Sequence, residues 1–143
     1  MAVKQKRLVM GFGTFDRVHP GHLFYLRELR KLGDELIIVI ARDTSVERLK
    51  GRRPHFSEEE RLQAILKTGI PDRVILGHKK DFLKVLHEHK PHVLGFGYDQ
   101  QVDTEALKLK FPHIEMVRVV AYEPHKFKSS LIMIENAPNQ LRL

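Results

Sequence analysis

The chain has 143 residues, no cysteine, and 25 lysine and arginine residues against 18 aspartate and glutamate residues, which gives a formal net charge of +7. This length predicts a single domain with a core of its own, and the lack of cysteine excludes a disulfide framework and a thiolate metal site. No apolar run of about 18 residues occurs, and the apolar stretch near the N-terminus is short and broken by glycine, so we expect a cytoplasmic protein with neither a signal peptide nor a membrane contact.

The first predicted element is a short buried strand, Leu8 to Met10, which leads into the stretch GFGTFDRVHPGH. Its glycines let the backbone approach a ligand closely, and Pro20 is placed where a helix begins, since its missing N–H costs nothing there. A strand, a glycine turn and a helix N-terminus together form an anion site. The stretch therefore predicts a phosphate site that includes the amides of residues 12–15 and the residues Gly13, Thr14, Phe15 and Gly21.

Two histidines are added to this predicted site. His19 precedes the helix and His22 follows three residues later, so both can face one point in front of the helix end. Imidazole donors beside free amides suit a phosphoryl group that gathers negative charge in a transition state. The alternative is a turn histidine and a helix histidine with no shared role. Asp16 is expected to buttress the turn that holds His19 without contacting the ligand.

The remaining elements alternate in chain order. Strands are predicted over residues 35–41, 73–77, 91–97 and 113–120, and helices over 43–49, 57–66, 82–86 and 104–110, with a capped terminal helix over 129–133. Alternation predicts one Rossmann-like α/β domain over residues 1–143, with a five-stranded, mostly parallel sheet and helices on both faces. The fifth strand alternates in polarity and is expected at an edge. Residues 136–143 lack periodicity and are expected to be loosely held.

Four loops are expected to meet at one place. In such sheets ligands bind at the carboxyl ends of the strands, where the strand order reverses. The loops that follow the first, second, fourth and fifth strands cover residues 12–22, 42–53, 98–101 and 122–130. The predicted site is therefore built from distant parts of the chain.

The motif GTFD-x-x-HPGH resembles the signature of the nucleotidylyltransferase superfamily, the cytidylyltransferase-like group with its HxGH motif. A further block, ARD followed by VERLKG and SEEER, is similar to that of the glycerol-phosphate cytidylyltransferases, the nucleotidyl half of the ADP-heptose synthases and the archaeal FAD synthases. The GYDQ block is similar to that of the archaeal FAD synthases, and the resemblance runs roughly from Leu8 to Met133. It implies that Lys50 contacts the triphosphate and that Arg61 supports the nucleotide site. It also implies that the loop after the fourth strand borders the nucleotide and that the closing serines bind phosphate: Gly97, Tyr98 and Asp99, then Ser129 and Ser130.

Each of these assignments has a plain structural alternative. Residues 50–53 are alternatively a solvated basic loop, and Arg61 an exposed helix charge paired with Glu58 or Glu60. Residues 98–99 are alternatively a simple turn, and Ser129 and Ser130 only a helix cap. The closing motif also departs from the family, because the glycine before the serines is absent and Leu131 replaces the third hydroxyl. We predict that Lys126 or Lys128 supplies the lost positive charge.

The resemblance implies a nucleotidyltransferase, in which an acceptor phosphate attacks the α-phosphorus of a nucleoside triphosphate and releases pyrophosphate. The main hypothesis is transfer of AMP from ATP to FMN, with Mg²⁺ bound to the triphosphate. A glycerol-3-phosphate cytidylyltransferase, another sugar-phosphate nucleotidyltransferase, and a catalytically silent nucleotide-binding protein are the alternatives. A flavin needs a broad apolar slot, and the loops expected at the site carry several aromatic residues: Phe12, Phe15, Phe96, Tyr98, Tyr122 and Phe127.

Small molecules are the expected partners. The positive charge allows a nucleic acid, but the basic residues are spread through the chain and no aromatic RNA-stacking motif occurs, so none is expected. No protein metal site is expected, because His87 and His89 lie two apart on a predicted helix and point in different directions. The resemblance allows a homodimer, since dimers are common in that family.

Overall fold

The computed structural model describes residues 6–121 and 131–134. The strands of that part are β1 (Leu8–Gly13), β2 (Glu35–Ile40), β3 (Arg73–Leu76), β4 (Val93–Phe96), β5 (Glu115–Val119) and β6 (Leu131–Ile134). Its helices are α1 (Pro20–Arg30), α2 (Asp43–Lys50), α3 (Glu58–Leu66), α4 (Leu83–His89) and α5 (Thr104–Lys110). None of the helices in the described ranges is long and apolar enough to cross a membrane.

The strands form one sheet in the order β3-β2-β1-β4-β5-β6, with β1 to β5 parallel and β6 antiparallel to β5. The predicted α/β class and mostly parallel sheet are confirmed. The order reverses between β1 and β4, which is the point where such sheets bind ligands. The β1–β4 pairing stops at Gly11 and Gly95, whereas the β1–β2 pairing continues to Gly13. The sheet therefore opens between β1 and β4 at its carboxyl edge.

Apolar side chains fill both faces of the sheet, so the predicted placement of helices on both faces is confirmed. One core joins α1 and α3 to the sheet through Tyr25, Leu26, Leu29, Ile65, Val9, Ile38 and Val117. The other joins α4 and α5 to the alternate strand residues through Val85, Leu86, Leu107, Met10, Val39, Leu94 and Met116. Successive strand residues point to opposite faces, which explains the nearly continuous apolar runs of the inner strands.

Close packing places α1 directly over the opening between β1 and β4. Added β-carbons at Gly11 and Gly95 would overlap the side chain of Leu29, so only glycine permits this approach. The hydroxyl of Tyr25 donates to the Gly95 carbonyl at 2.8 Å and accepts from the Phe12 N–H at 3.3 Å. The middle and last turn of α1 are thereby fixed against the ends of both strands.

The predicted helix over residues 129–133 is wrong, because Leu131–Ile134 form β6. A run of Leu-Ile-Met-Ile is too short for its periodicity to separate a strand from a helix. The segment forms a strand because the open edge of β5 offers unpaired backbone N–H and C=O groups, which favour pairing with another strand. The pairing also places β5 inside the sheet, which corrects its predicted edge position. Residues 136–143 lie outside the described part.

Candidate functional site

The start of α1 has the predicted form. Pro20 is the first helical residue and His19 is the N-cap, whose Nδ1 accepts a hydrogen bond from the Gly21 N–H at 3.1 Å. A neutral imidazole that accepts at Nδ1 carries its proton on Nε2. The exposed ring of His19 therefore presents an N–H donor in front of the helix. The Gly21 amide, predicted to face phosphate, is already satisfied by this cap.

His22 lies stacked on His19, with ring centroids 3.7 Å apart and an angle of 20° between the ring planes. Burial, and then the like charge that His19 would carry, lower the pKa of His22 to about 4, while the Arg17 backbone and the Asp99 carboxylate act in the opposite direction. His22 is therefore neutral at neutral pH. Its Nδ1 is buried and forms no hydrogen bond of normal geometry with the described residues.

The Phe15 ring packs against the glycine turn at Gly13. Its backbone is left-handed, with φ of 52°, and its ring is 5% exposed. A β-carbon at Gly13 would lie 2.5 Å from this ring, and the ring also meets His22 edge-on at 5.1 Å. The Phe15 side chain is therefore core and supports His22. Phe96, at 1% exposed, is also core.

Arg61 contacts several of the loops around the site through hydrogen bonds. Its side chain is buried on α3, and it donates to three carbonyls and one carboxylate: Phe56 O at 3.0 Å, Thr14 O at 2.9 Å, Ala41 O at 2.8 Å and Asp43 Oδ1 at 2.7 Å. The alternative of an exposed helix charge is wrong, because Arg61 is 1% exposed. It holds the ends of β1 and β2 against the start of α2.

Asp16 fastens the same turn to the loop before α3. Its carboxylate accepts hydrogen bonds from the His55 N–H at 2.7 Å and the Phe56 N–H at 2.8 Å. Burial acts to raise the pKa of Asp16, but these hydrogen bonds and the nearby positive charge outweigh it, so the pKa lies below its usual value. The buttress expected of Asp16 is present, and its partner is the loop before α3.

The loop after β4 is held by Gln100, the last residue of the GYDQ block, and by Arg118, which the sequence analysis did not single out. The Gln100 side chain accepts from the Gly97 N–H and donates to the Phe12 carbonyl, both at 2.7 Å. Arg118, from β5, donates to the carbonyls of Gly97 at 2.7 Å and Gln100 at 2.9 Å. The signal available for Arg118 was an arginine near the carboxyl end of an otherwise apolar strand. These contacts place Tyr98 and Asp99, both exposed, at the opening between β1 and β4.

Three of the four predicted loops therefore meet at this edge. Lys50 is the last residue of α2. It is exposed and is followed by Gly51, whose φ of 77° ends the helix.

The fourth loop lies outside the described residues, together with the assignments made on it: Tyr122, Lys126, Phe127, Lys128, Ser129 and Ser130. In the described part no three metal-ligating side chains form a group that could hold a metal ion.

Comparisons with known proteins agree over most of the chain. The model of the cytidylyltransferase-like family matches residues 10–138. An FAD synthase of Thermoplasma acidophilum is 42% identical over 128 residues, 87% of this chain and 89% of that protein. An FAD synthase of Thermoplasma volcanium is 41% identical over the same coverage of both chains. A crystal structure described as the lipopolysaccharide core biosynthesis protein from Thermoplasma volcanium has a TM-score of 0.79 at 41% identity, covering 83% of this chain and 100% of that chain.

Proposed function

The chain belongs to the cytidylyltransferase-like family, and on that premise we propose that it transfers AMP from ATP to FMN, giving FAD and pyrophosphate. The observation that carries the proposal is the paired-histidine start of α1, present in a chain similar to FAD synthases over most of its length. Such an enzyme needs little covalent chemistry, because positioning and charge neutralisation lower the barrier.

In the proposed reaction an FMN phosphate oxygen attacks the α-phosphorus of ATP in line. The new P–O bond forms while the bond to the bridging oxygen of the β-phosphate breaks, and pyrophosphate leaves. His19 and His22 donate to the α-phosphate and the bridging oxygen, where negative charge gathers. A neutral His22 ring stacks on the His19 ring without like-charge repulsion, so the low pKa of His22 suits this role.

Other residues bind or position the phosphates in this proposal. Thr14 and the neighbouring amides hold the phosphates, and Lys50 meets the triphosphate as a point charge. Gly97, Tyr98 and Asp99 border the nucleotide, and Lys128, Ser129 and Ser130 complete the phosphate site. Arg61 is a positioning residue in this proposal, because its side chain is buried and all three of its guanidinium nitrogens donate to protein groups.

Mg²⁺ is proposed to enter with the triphosphate, whose charge it neutralises. The described residues hold no cluster of three ligating side chains, and Mg²⁺ is commonly bound through substrate phosphates and water with few protein ligands. The donor set of the site thus fits an ion carried by ATP. A cytoplasmic location and a homodimer also stay proposals.

The reaction is tested with purified protein and two substrate pairs. ATP, Mg²⁺ and FMN should yield FAD and pyrophosphate, and FMN should bind on titration. CTP with glycerol 3-phosphate should yield nothing. Turnover of the CTP pair, with FMN neither bound nor consumed, would contradict the flavin assignment and leave the phosphate chemistry in place.

A sugar-phosphate nucleotidyltransferase is the second candidate. The description of the similar Thermoplasma volcanium structure as a lipopolysaccharide core biosynthesis protein favours it. Testing sugar phosphates with ATP and CTP in the same pyrophosphate assay separates the two candidates. No turnover with any pair, together with nucleotide binding, would indicate the catalytically silent alternative.

A further inference from the structure

An exposed aromatic residue stands beside the end of β1 and has no role in the phosphate chemistry. Phe82, the residue before α4, is 41% exposed. Its ring lies against that of Phe12, with centroids 4.6 Å apart and the planes tilted by 53°. Phe12 lies two residues before Thr14, which is about 7 Å of extended chain. The aromatic pair therefore adjoins the proposed phosphate site.

An apolar hollow continues from this pair between α4 and α5. It has a volume of about 230 Å³, and Phe82, Leu83, Val102 and Ala106 contribute to its lining. This volume is smaller than that of pockets enclosing whole drug-sized ligands, so it suits one end of an elongated ligand. A flat apolar ring is a chemical group that such a surface accepts.

The loop that leads to Phe82 carries two exposed lysines and is held by two arginines. Arg42, the N-cap of α2 and ion-paired with Glu58, donates to the Gly77 carbonyl at 2.7 Å, and Arg48 on α2 donates to the Lys79 carbonyl at 2.6 Å. These contacts hold the loop that leads to Phe82. Lys79 and Lys80 on this loop are exposed. Cations beside an apolar surface complement a ligand that has an aromatic ring at one end and a phosphate at the other.

We propose that Phe12, Phe82 and the adjoining hollow bind the isoalloxazine ring of the acceptor, and that Phe82 selects a flavin phosphate over a polyol phosphate. This inference rests on the proposed function and adds the place of the ring to it. The flavin then lies on the side of α4 and α5, while the adenosine lies at the loop after β4. The two phosphates meet between them, in front of α1.

The test compares FMN binding and kinetics in three variants. Phe82→Ala removes the stacking ring, and Ala106→Leu fills the hollow while leaving Phe82 in place. Leu66→Ala, at a side chain 42% exposed at the end of α3, is the matched control. We expect the first two to raise the Kd for FMN, measured by fluorescence anisotropy, and its KM by about tenfold or more, the size of one lost aromatic stack. The KM for ATP should stay within about twofold.

Phe82→Tyr should restore FMN binding, because it keeps the ring. If the parent makes FAD while Phe82→Ala and Ala106→Leu both keep the parental Kd and KM for FMN, the ring site is overturned and the proposed function stands. If the parent neither binds FMN nor makes FAD, the proposed function fails and the ring site fails with it. Ala106→Leu keeps the test decisive if Phe82→Ala unfolds, since it adds only a side chain at an exposed helix position.

Discussion

The His22 ring is half-buried, with its Nδ1 covered, so kinetics and stability each report on this residue. We predict that His22→Ala lowers kcat by about 10²-fold or more, the size of one lost donor to a developing charge, while the KM for ATP changes much less. Steady-state kinetics with ATP and FMN measure both. His78→Ala is the control, because His78 pairs with Glu88 at the surface. Equal losses of binding and turnover would mean that His22 holds only ground-state phosphate.

The same residue makes folding sensitive to acid. The pKa of His22 is about 4 in the folded protein, below its ordinary value of 6.5, so the unfolded chain binds more protons between these values. Stability should therefore fall as the pH is lowered through this window. Urea titrations from pH 7 to pH 4 should show a smaller fall for His22→Gln than for the parent, and equal falls would refute the assigned pKa.

At the scale of elements, the loop after β4 depends on a strand that is remote in sequence. We predict that Arg118→Met releases the carbonyls of Gly97 and Gln100 and raises the KM for ATP by about tenfold, with a smaller change in kcat. The lost hydrogen bonds should lower the free energy of unfolding by about 1–3 kcal/mol. Kinetics and urea unfolding measure the two effects.

Two further variants show whether Arg118 acts by positioning the loop. Arg118→Lys should recover part of the ATP affinity, because one ammonium can reach one carbonyl. Arg73→Met, at an exposed arginine on β3, should leave both quantities near their parental values. An unchanged KM in Arg118→Met with the same loss of stability would make Arg118 purely structural.

The sequence predicted those helices and strands that are marked by local signals, such as helix-start residues and apolar runs. Pro20 marked the start of α1, and the helix predicted over residues 57–66 begins with a capping box formed by Ser57 and Glu60. β6 lacked such a signal, since its partner β5 alone decides that it is a strand. The inner strands were recognisable because burial on both faces leaves a continuous apolar run.

The sequence predicted the site residues that lie in a local motif at a helix start. It did not predict the contacts between side chains and backbone groups that are distant in sequence. The histidines follow from the helix start and Gln100 ends the GYDQ block, but the contacts of Arg118 and Gln100 with distant carbonyls have no local pattern. Aromatic residues show the same limit. Phe15 is core and Phe82 is exposed, although both precede a helix, because exposure depends on the packing of the whole sheet.

At the scale of the whole molecule, catalysis depends on how α1 is seated on the sheet. Leu29 fills the space above Gly11 and Gly95, and the Tyr25 hydroxyl bridges the ends of β1 and β4. The histidines at the start of α1 and the amides after β1 thus belong to one rigid unit. A shift of the helix by a fraction of an ångström would separate donors that must act together.

The glycine at the end of β4 offers a direct test of this seating. We predict that Gly95→Ala, whose β-carbon would overlap Leu29, lowers the free energy of unfolding by about 1–3 kcal/mol and kcat by about tenfold or more. Leu29→Val alone should lower the free energy of unfolding by about 1 kcal/mol, because the smaller side chain leaves a space above the sheet. Combined with Gly95→Ala it should restore stability and kcat, so that the double variant loses less than the sum of the single losses. Urea unfolding and steady-state kinetics of all four proteins measure this coupling. Gly77→Ala is the control, since its β-carbon would meet Val39 only at an ordinary 3.4 Å. Additive losses in the double variant would show that the Leu29 contact does not position the catalytic helix.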